Sequence, residues 1–552
     1  MSGLLTALVA CLSLAAFAEA KTPSCRREDV PTIDVFGLQV IDVQAKEVRN
    51  YTTWMSIPGL TAVAPPGPID FCNITVTYTH PGLHDTVNNY IWLPLENWNG
   101  RFLAQGGAGL AAGADGWLAP NVASGFVSAN TDGGHSIFGD IQKVGGDAAW
   151  WALPSPGNVD WNLLQDFASR SLDELPKISK QVIAGFYGKP ADKSYWNGCS
   201  TGGRQGLMAA QRYPDNYDGI LAAAPAINWA NFVPAGMWPQ IVMHKLDYYP
   251  SACELEAIRR AAIDSCDALD GLQDGVIAAP ALCKYDAEAA VGEPFECGNV
   301  TGKVTTEAAA IANAAWAGPV RDGKREWYGV THESLLGFSG VPGMAGLVMT
   351  ECDDEVKRIN CRGKPFIVGQ SYVRDLLFKD AEYDTSHMGE DDFWKALRIS
   401  RNEMMSIIDT SDPDLSEFRK SGAKMITWHG LGDQLIPSDG TLDYYQRVLA
   451  LDSNAQDYYR YFEAPGVGHC MGGVGAAPSQ PLDVLIKWVE EGIAPETLSA
   501  ASLPVNGKAE SARHRILCPY PLVAAYTGGN PNDAASFTCA ESFDATKGHD
   551  EL

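Results

Sequence analysis

The chain has 552 residues, 46% hydrophobic and 20% charged, with a formal net charge of −26 and a pI of about 4.7. That length suits one large globular domain or two smaller ones. An acidic surface of this size repels phosphate backbones and anionic lipid, so no nucleic acid and no membrane is expected as a partner.

Residues 1–20, "MSGLLTALVACLSLAAFAEA", form an apolar run ending in the A-x-A pattern Ala18-Glu19-Ala20 before Lys21. This reads as a cleaved signal peptide, although its first residues lack a Lys or Arg. No other stretch is apolar for long enough to span a bilayer. Of thirteen cysteines, Cys11 leaves with the leader, so an even number enters an oxidising compartment. Sequons at Asn50, Asn73 and Asn299 agree with that route and mark candidate glycosylation sites.

From about residue 35, short apolar runs alternate with turns and helical stretches. "FCNITVTYTH" (71–80) alternates like a strand, "NYIWLPL" (89–95) is a second, and "GRFLAQGG" (100–107) a third that ends in glycines. "SYWNGCS" (194–200) is a short strand entering a turn, "TGGRQGLMAAQRYP" (201–214) a helix stopped by Pro214, and "YDGILAAAPA" (217–226) another strand. The rhythm returns with "AKMITWHG" (423–430), "YRYFEAPG" (459–466) and the amphipathic helix "PLDVLIKWVEEG" (481–492), closed by Gly492. Strands alternating with helices predict a mostly parallel sheet covered on both faces. Between the two halves, residues 230–405 are rich in Ala, Gly, Trp and Cys without that rhythm, and contain the helical stretches "CELEAIRRAAIDSC" and "TTEAAAIANAAWAG". This region reads as an inserted lid. The expectation is an α/β-hydrolase fold with a large inserted lid domain, its catalytic domain split into 21–229 and 406–548.

The chemistry concentrates in "YWNGCSTGGRQG" (195–206). A serine hydroxyl is a poor nucleophile until a base takes its proton. A nucleophile elbow needs small residues two positions either side, and Gly198 and Gly202 flank Ser200 in that way. The elbow predicts partners in the order Ser, Asp, His, each just past a strand. Asp433 follows "MITWHGLG" and His469 follows "YFEAPGVG". His429 is the rival base, but it sits on the acid's own loop, where it would crowd Asp433. Asp443 and Asp452 are rival acids on a following helix.

Cys199 precedes the nucleophile and Cys470 follows the base, so a triad brings them together. A disulfide between them would fasten the elbow to the histidine loop. For the oxyanion, one donor is expected from the N–H of Thr201, the residue after the nucleophile. The other is expected from "AQGGAGLAAG", with Gly107 chosen. A dinucleotide-binding turn is the alternative there, but the G-x-G-x-x-G spacing is missing.

In the insert, "CDALDGLQDGV" (266–276) places Asp267, Asp270 and Asp274 on a turning backbone. Those hard oxygen ligands suit Ca²⁺, though the spacing is not that of an EF-hand, and a metal-free polar turn is the alternative. A Cys266–Cys283 bridge would clamp this loop.

With "GCSTGGRQG", "GLGDQLIP" and "GVGHC", and with "WNGRFL" and "WVEEGIAPETL" beside them, nearly the whole mature chain resembles the tannase and feruloyl esterase family. The resemblance implies hydrolysis of aromatic carboxylic esters through an acyl-enzyme, with Ser200 as nucleophile, Asp433 orienting and His469 as base and then acid. It also implies a structural Ca²⁺ in the lid, held by Asp267, Asp270, Asp274 and the carbonyls of Leu272 and Val276. The implied disulfides are Cys25–Cys72, Cys199–Cys470, Cys266–Cys283 and Cys518–Cys539. The pairing of Cys253, Cys297, Cys352 and Cys361 stays open, Cys352–Cys361 being one option.

The last four residues, His549-Asp550-Glu551-Leu552, are a retrieval address for the endoplasmic reticulum, with the HDEL receptor as partner. This departs from family members that leave the cell, and directs attention to an endogenous ester such as a secondary metabolite; secretion is the alternative. The same machinery serves a carboxypeptidase-like enzyme or an acyltransferase, and a retained binding protein with a dead triad is the reading from another class. The acyl group and the oligomeric state leave no mark in the sequence.

Overall fold

The sheet that carries the site has nine strands: β1 (Gln39–Tyr51), β2 (Ile69–Thr79), β3 (Val87–Pro94), β4 (Arg101–Gln105), β5 (Val127–Thr131), β6 (Lys193–Cys199), β7 (Gly219–Ala223), β8 (Lys424–Gly430) and β9 (Tyr459–Ala464). Their spatial order is β1-β2-β3-β5-β4-β6-β7-β8-β9. The computed structural model describes residues 24–52, 67–135, 147–298, 300–337, 345–354, 358–503 and 512–543. The leader, the HDEL sequence and Asn299 lie outside the described residues.

From β5 to β9 every neighbouring pair runs parallel. The first part of the sheet departs from the expected parallel pattern: β1–β2, β2–β3 and β3–β5 are antiparallel. The residues explain both regimes. In β2, Ile74, Val76 and Tyr78 are buried and the intervening Asn73, Thr75 and Thr77 are half-buried, so one face is wetter. In β6, β7 and β8 almost every residue is buried, as strands covered on both faces must be.

Helices supply that cover: α1 (Ser171–Tyr187), α2 (Thr201–Arg212), and, beyond the insert, α6 (Ser438–Leu451) and α7 (Pro481–Glu491). On one face Met425, Tyr459 and Tyr461 pack with Tyr444, Tyr445 and Val448 of α6. On the other, Ile426, Trp428 and Phe462 pack with Leu485 and Trp488 of α7. Gly492 ends α7 with φ 74°, a left-handed stop that favours glycine.

Among the described residues, 224–423 add no strand to this sheet. They hold α3 (Ala252–Cys266), capped by the Ser251 side chain, α4 (Thr306–Ala317), capped by Thr305, and α5 (Glu390–Ile399). The first two pack around Leu255, Ile258, Ile311 and Trp316, a core of their own. This is the lid. A three-stranded antiparallel sheet (Ala477–Pro478, Leu498–Ala501, His514–Leu517) and a two-stranded one (Val523–Tyr526, Phe537–Ala540) complete the C-terminal part.

The twelve cysteines from Cys25 to Cys539 are all paired. Cys25–Cys72, Cys199–Cys470, Cys266–Cys283 and Cys518–Cys539 join as the resemblance implied. The open four resolve into Cys253–Cys297 and Cys352–Cys361. Six disulfides fit a chain that folds in the secretory pathway. Among the described residues no helix is long and apolar enough to cross a membrane.

One glycosylation expectation needs correction. Asn73 lies inside β2, its Nδ2 toward Asp115 Oδ2 at 3.5 Å and its Oδ1 buried, so its amide does not offer itself to a glycan. Asn50 is exposed, at φ 53° near the end of β1.

Candidate active site

β6 delivers Ser200 at the C-terminal end of the parallel sheet, and α2 begins at the next residue. Ser200 has φ 64° and ψ −123°, a conformation that costs an L-residue energy and persists because its surroundings hold it. Its N–H donates to Ala223 O at 3.1 Å, and its carbonyl accepts from Arg204 and Ala226. The glycine at 198 is obligatory: a Cβ there would lie 2.4 Å from the carbonyl carbon of Gly202. This is the strained strand-to-helix turn that the G-x-S-x-G spacing predicts.

β8 delivers the acid. Asp433 is buried in the turn after the strand and all its acceptor capacity is used. Oδ1 accepts the N–H groups of Leu435 and Ile436 at 2.8 and 2.9 Å; Oδ2 accepts from His469 Nδ1 at 2.7 Å and His429 Nε2 at 3.0 Å. Burial alone would push its carboxyl up, but the His469 charge and the two imidazole hydrogen bonds hold it well below the usual carboxylate range. β9 delivers the base: its loop carries His469, whose N–H donates to Gln434 Oε1 at 3.0 Å. The Cys199–Cys470 disulfide, with 6.0 Å between Cα atoms, then ties the residue before Ser200 to the residue after His469.

The rivals fall away on contacts. His429 is wholly buried, with Nδ1 2.9 Å from Thr441 Oγ1 and Nε2 on Asp433, so both ring nitrogens are committed. Asp443 pairs with Arg447 and Asp452 with Arg419, on the far helix and its end.

The glycine loop after β4 docks on the start of α2. Gly202 N–H donates to Gly107 O at 3.0 Å and Thr201 Oγ1 to Gly109 O at 2.6 Å. The choice of Gly107 as oxyanion donor is corrected here. Its N–H donates to Gln205 Oε1 at 2.8 Å, so it is spent on anchoring the loop. Gln205 Nε2 also donates to Ala112 O at 3.0 Å, clamping the loop at a second point. A polar side chain at a fully buried position of α2 was the available signal for Gln205. Arg204, equally buried, donates to the carbonyls of Ala168, Phe167 and Ile408 and rests against the Phe167 and Trp229 rings. It pins α2 to the segment before α1 and to the end of the lid.

In the lid loop, Asp267 accepts the backbone N–H groups of Asp274, Gly275 and Val276 at 2.9 to 3.3 Å, folding the turn on itself. Asp274 Oδ2 meets Arg515 Nη2 at 2.8 Å, and Cys266–Cys283 closes the loop. Burial, reinforced by Asp274 and Asp267, pushes Asp270 up to about 6. The oxygens are of the type calcium takes, but Asp267 is occupied by backbone N–H groups and Asp274 by Arg515, which leaves Asp270 as the carboxylate a cation would compensate. The three carboxylates are less convergent than His80, Asp85 and Asp166, whose ligand atoms all lie within 4.8 Å. That second group does not fit a metal: both His80 nitrogens face carboxylates, Asp85 and Glu174, and carry protons where a metal needs a lone pair.

Comparison with known proteins gives the family. The family model described as tannase and feruloyl esterase matches residues 72–540. A probable feruloyl esterase of Arthroderma benhamiae is 40% identical over 528 residues, covering 94% of this chain and 93% of its own. Two solved structures superpose on it: tannin acyl hydrolase from Aspergillus niger, with TM-score 0.80, 27% identity and coverage of 94% and 95%; and feruloyl esterase B from Aspergillus oryzae, with TM-score 0.74, 25% identity and coverage of 92% and 98%.

Proposed function

Because the chain belongs to the tannase and feruloyl esterase family, we propose that it hydrolyses aromatic carboxylic esters, of feruloyl or galloyl type, through an acyl-enzyme on Ser200. The family fixes the reaction class as carboxylic ester hydrolysis; the covalent route rests on this chain's own residues. Asp433 is ionised and accepts only, so His469 Nδ1 carries the proton in their bond, and in the neutral imidazole that acts as base the lone pair is on Nε2. That lone pair takes the Ser200 proton as Oγ attacks the ester carbonyl. The oxyanion is met by the Thr201 N–H and a second donor from the loop docked beside it, past Gly107, whose N–H is taken by Gln205. His469 then protonates the leaving alcohol, and a water deprotonated by the same imidazole releases the acid.

The observation that carries this reading is the Cys199–Cys470 clasp joined to the His469–Asp433 bond, which brings three segments of chain to one end of the sheet. Ser200→Ala is expected to abolish turnover of methyl ferulate and methyl gallate with unchanged thermal unfolding. Labelling by a fluorophosphonate should locate to Ser200. Turnover surviving in the variant rejects the mechanism. A panel adding aliphatic esters, with an alcohol acceptor in separate arms, distinguishes hydrolase from acyltransferase.

A calcium ion is part of the proposal. Asp267, Asp270 and Asp274, with the carbonyls of Leu272 and Val276, would hold it, and it would supply charge compensation in the lid. The HDEL sequence supports residence in the endoplasmic reticulum, where the substrate would be an endogenous ester; immunolocalisation with and without residues 549–552 tests this.

A further inference from the structure

We propose that His429 is a positioning residue of the triad, holding Asp433 from the side opposite His469 and fixing how strongly that carboxylate draws on the base. This rests on the triad proposed above.

The argument begins with one oxygen. Asp433 Oδ2 receives two imidazoles, His469 Nδ1 at 2.7 Å and His429 Nε2 at 3.0 Å. A carboxylate held well below its usual range only accepts, so His429 Nε2 must carry a hydrogen. Its Nδ1 is then an acceptor, and the hydroxyl of Thr441 on α6, 2.9 Å away, is the donor it needs. Asp433 therefore sets which His429 nitrogen donates, Thr441 partners the other, and His429 in turn occupies a share of Oδ2. Without that N–H, the whole charge of Oδ2 would face His469, and the Asp433 carboxylate would be free to rotate about the Leu435 and Ile436 bonds on its other oxygen.

His429 cannot itself reach substrate. Its side chain is 0% exposed, and it lies on the face of the sheet covered by α6. The ionisable groups around it are Asp433, Asp439 of α6, whose carboxyl burial pushes up, and Glu463, its register partner on β9, pushed up to about 7 by burial and by Asp439. Arg325 acts on Asp439 from outside this group, and the accept-only Asp433 carboxylate is what requires a hydrogen on His429 Nε2.

The decisive experiment compares pH profiles of kcat/KM for the full-length enzyme, His429→Leu, His429→Gln and Thr441→Val on methyl ferulate, each with its thermal unfolding. Leucine removes the donor; glutamine can present an amide N–H in place of Nε2; valine removes the partner of Nδ1 and so loosens the ring. Expected for His429→Leu is a kcat about 10- to 100-fold lower with KM nearly unchanged, and an acid limb moved up by about half to one pH unit, because a less shared carboxylate favours the protonated base. His429→Gln should restore most of the limb position, and Thr441→Val should fall between. If His429→Leu does not fold, the glutamine and valine variants decide alone: limbs identical to wild type in both overturn the proposal. A kcat/KM lowered by one factor at every pH, with glutamine no better than leucine, also overturns it. Failure of the triad reading is separately visible, as turnover that survives Ser200→Ala in the otherwise wild-type enzyme.

Discussion

Cys199 and Cys470 are separated by 271 residues in sequence and 6.0 Å between Cα atoms, and each adjoins a residue of the proposed triad. Ser200 and Cys470 both take positive φ, 64° and 60°, so the bond spans two backbone positions that cost energy to hold. Closing a loop this long removes about 5 kcal/mol of unfolded-chain entropy in the chain-entropy model. Replacing both cysteines by alanine should lower the melting temperature clearly. It should also reduce kcat about 10- to 100-fold with little change in KM, because placement rather than binding is lost. Calorimetry and steady-state kinetics check this; an unchanged kcat would reduce the disulfide to a stabilising strut.

Gln205 sets the glycine loop against the elbow through Gly107 N–H and Ala112 O. Gln205→Leu would orphan both buried groups, at about 1–3 kcal/mol each. The expected result is lower stability and a kcat loss exceeding that of Gln205→Glu, which keeps the acceptor for Gly107. Equal losses would mean that the clamp acts through Ala112 alone.

The elements around the site were legible because their sequences obey local rules. Ser200 sits between glycines, Asp433 and His469 each follow an apolar run, and the helix at 481–492 shows its stripe and its stop. What was missed depends on tertiary context. β1 has few buried residues and no apolar alternation to announce it. α1 carries Pro176 inside the helix, which reads locally as a break. Gly107 was chosen by position in a glycine run, and only the fold reveals that Gln205 has taken its N–H. The contact between His429 and Asp433 follows from their spacing, but its meaning depends on Thr441, twelve residues beyond His429 and on another element.

His80 ties β2 to α1 through a buried charge network. Burial by itself would lower its pKa, yet hydrogen bonds to Glu174 and Asp85 raise it to about 9. An unfolded-chain histidine titrates near 6.5. The folded state therefore binds this proton more tightly, and the stabilisation is fully present below about pH 6.5 and is lost as pH rises through about 9. Asp166, pushed up to about 7 by burial, adds a loss of the same sign at lower pH. Melting temperature should fall from pH 6.5 to 9.5 in the wild type. In His80→Gln it should be lower at pH 6.5 and flatter across that range. Parallel curves would remove His80 from the account.

The lid loop offers a test of the calcium proposal that does not pass through activity. Asp270, raised to about 6, is more easily protonated in the fold than in the unfolded chain. Without metal, its contribution to stability is present below the unfolded carboxylate range, near pH 4, and is lost as pH rises through about 6. A calcium ion needs the ionised form, so its stabilising effect should grow over that interval. Unfolding in calcium and in EGTA should give melting temperatures that nearly coincide at pH 5 and separate by several degrees at pH 7.5. Asp270→Asn should reduce the separation while raising the metal-free stability at pH 7.5, since it removes a carboxylate whose charged form burial disfavours. Curves that coincide at both pH values would leave the loop a polar turn closed by Cys266–Cys283.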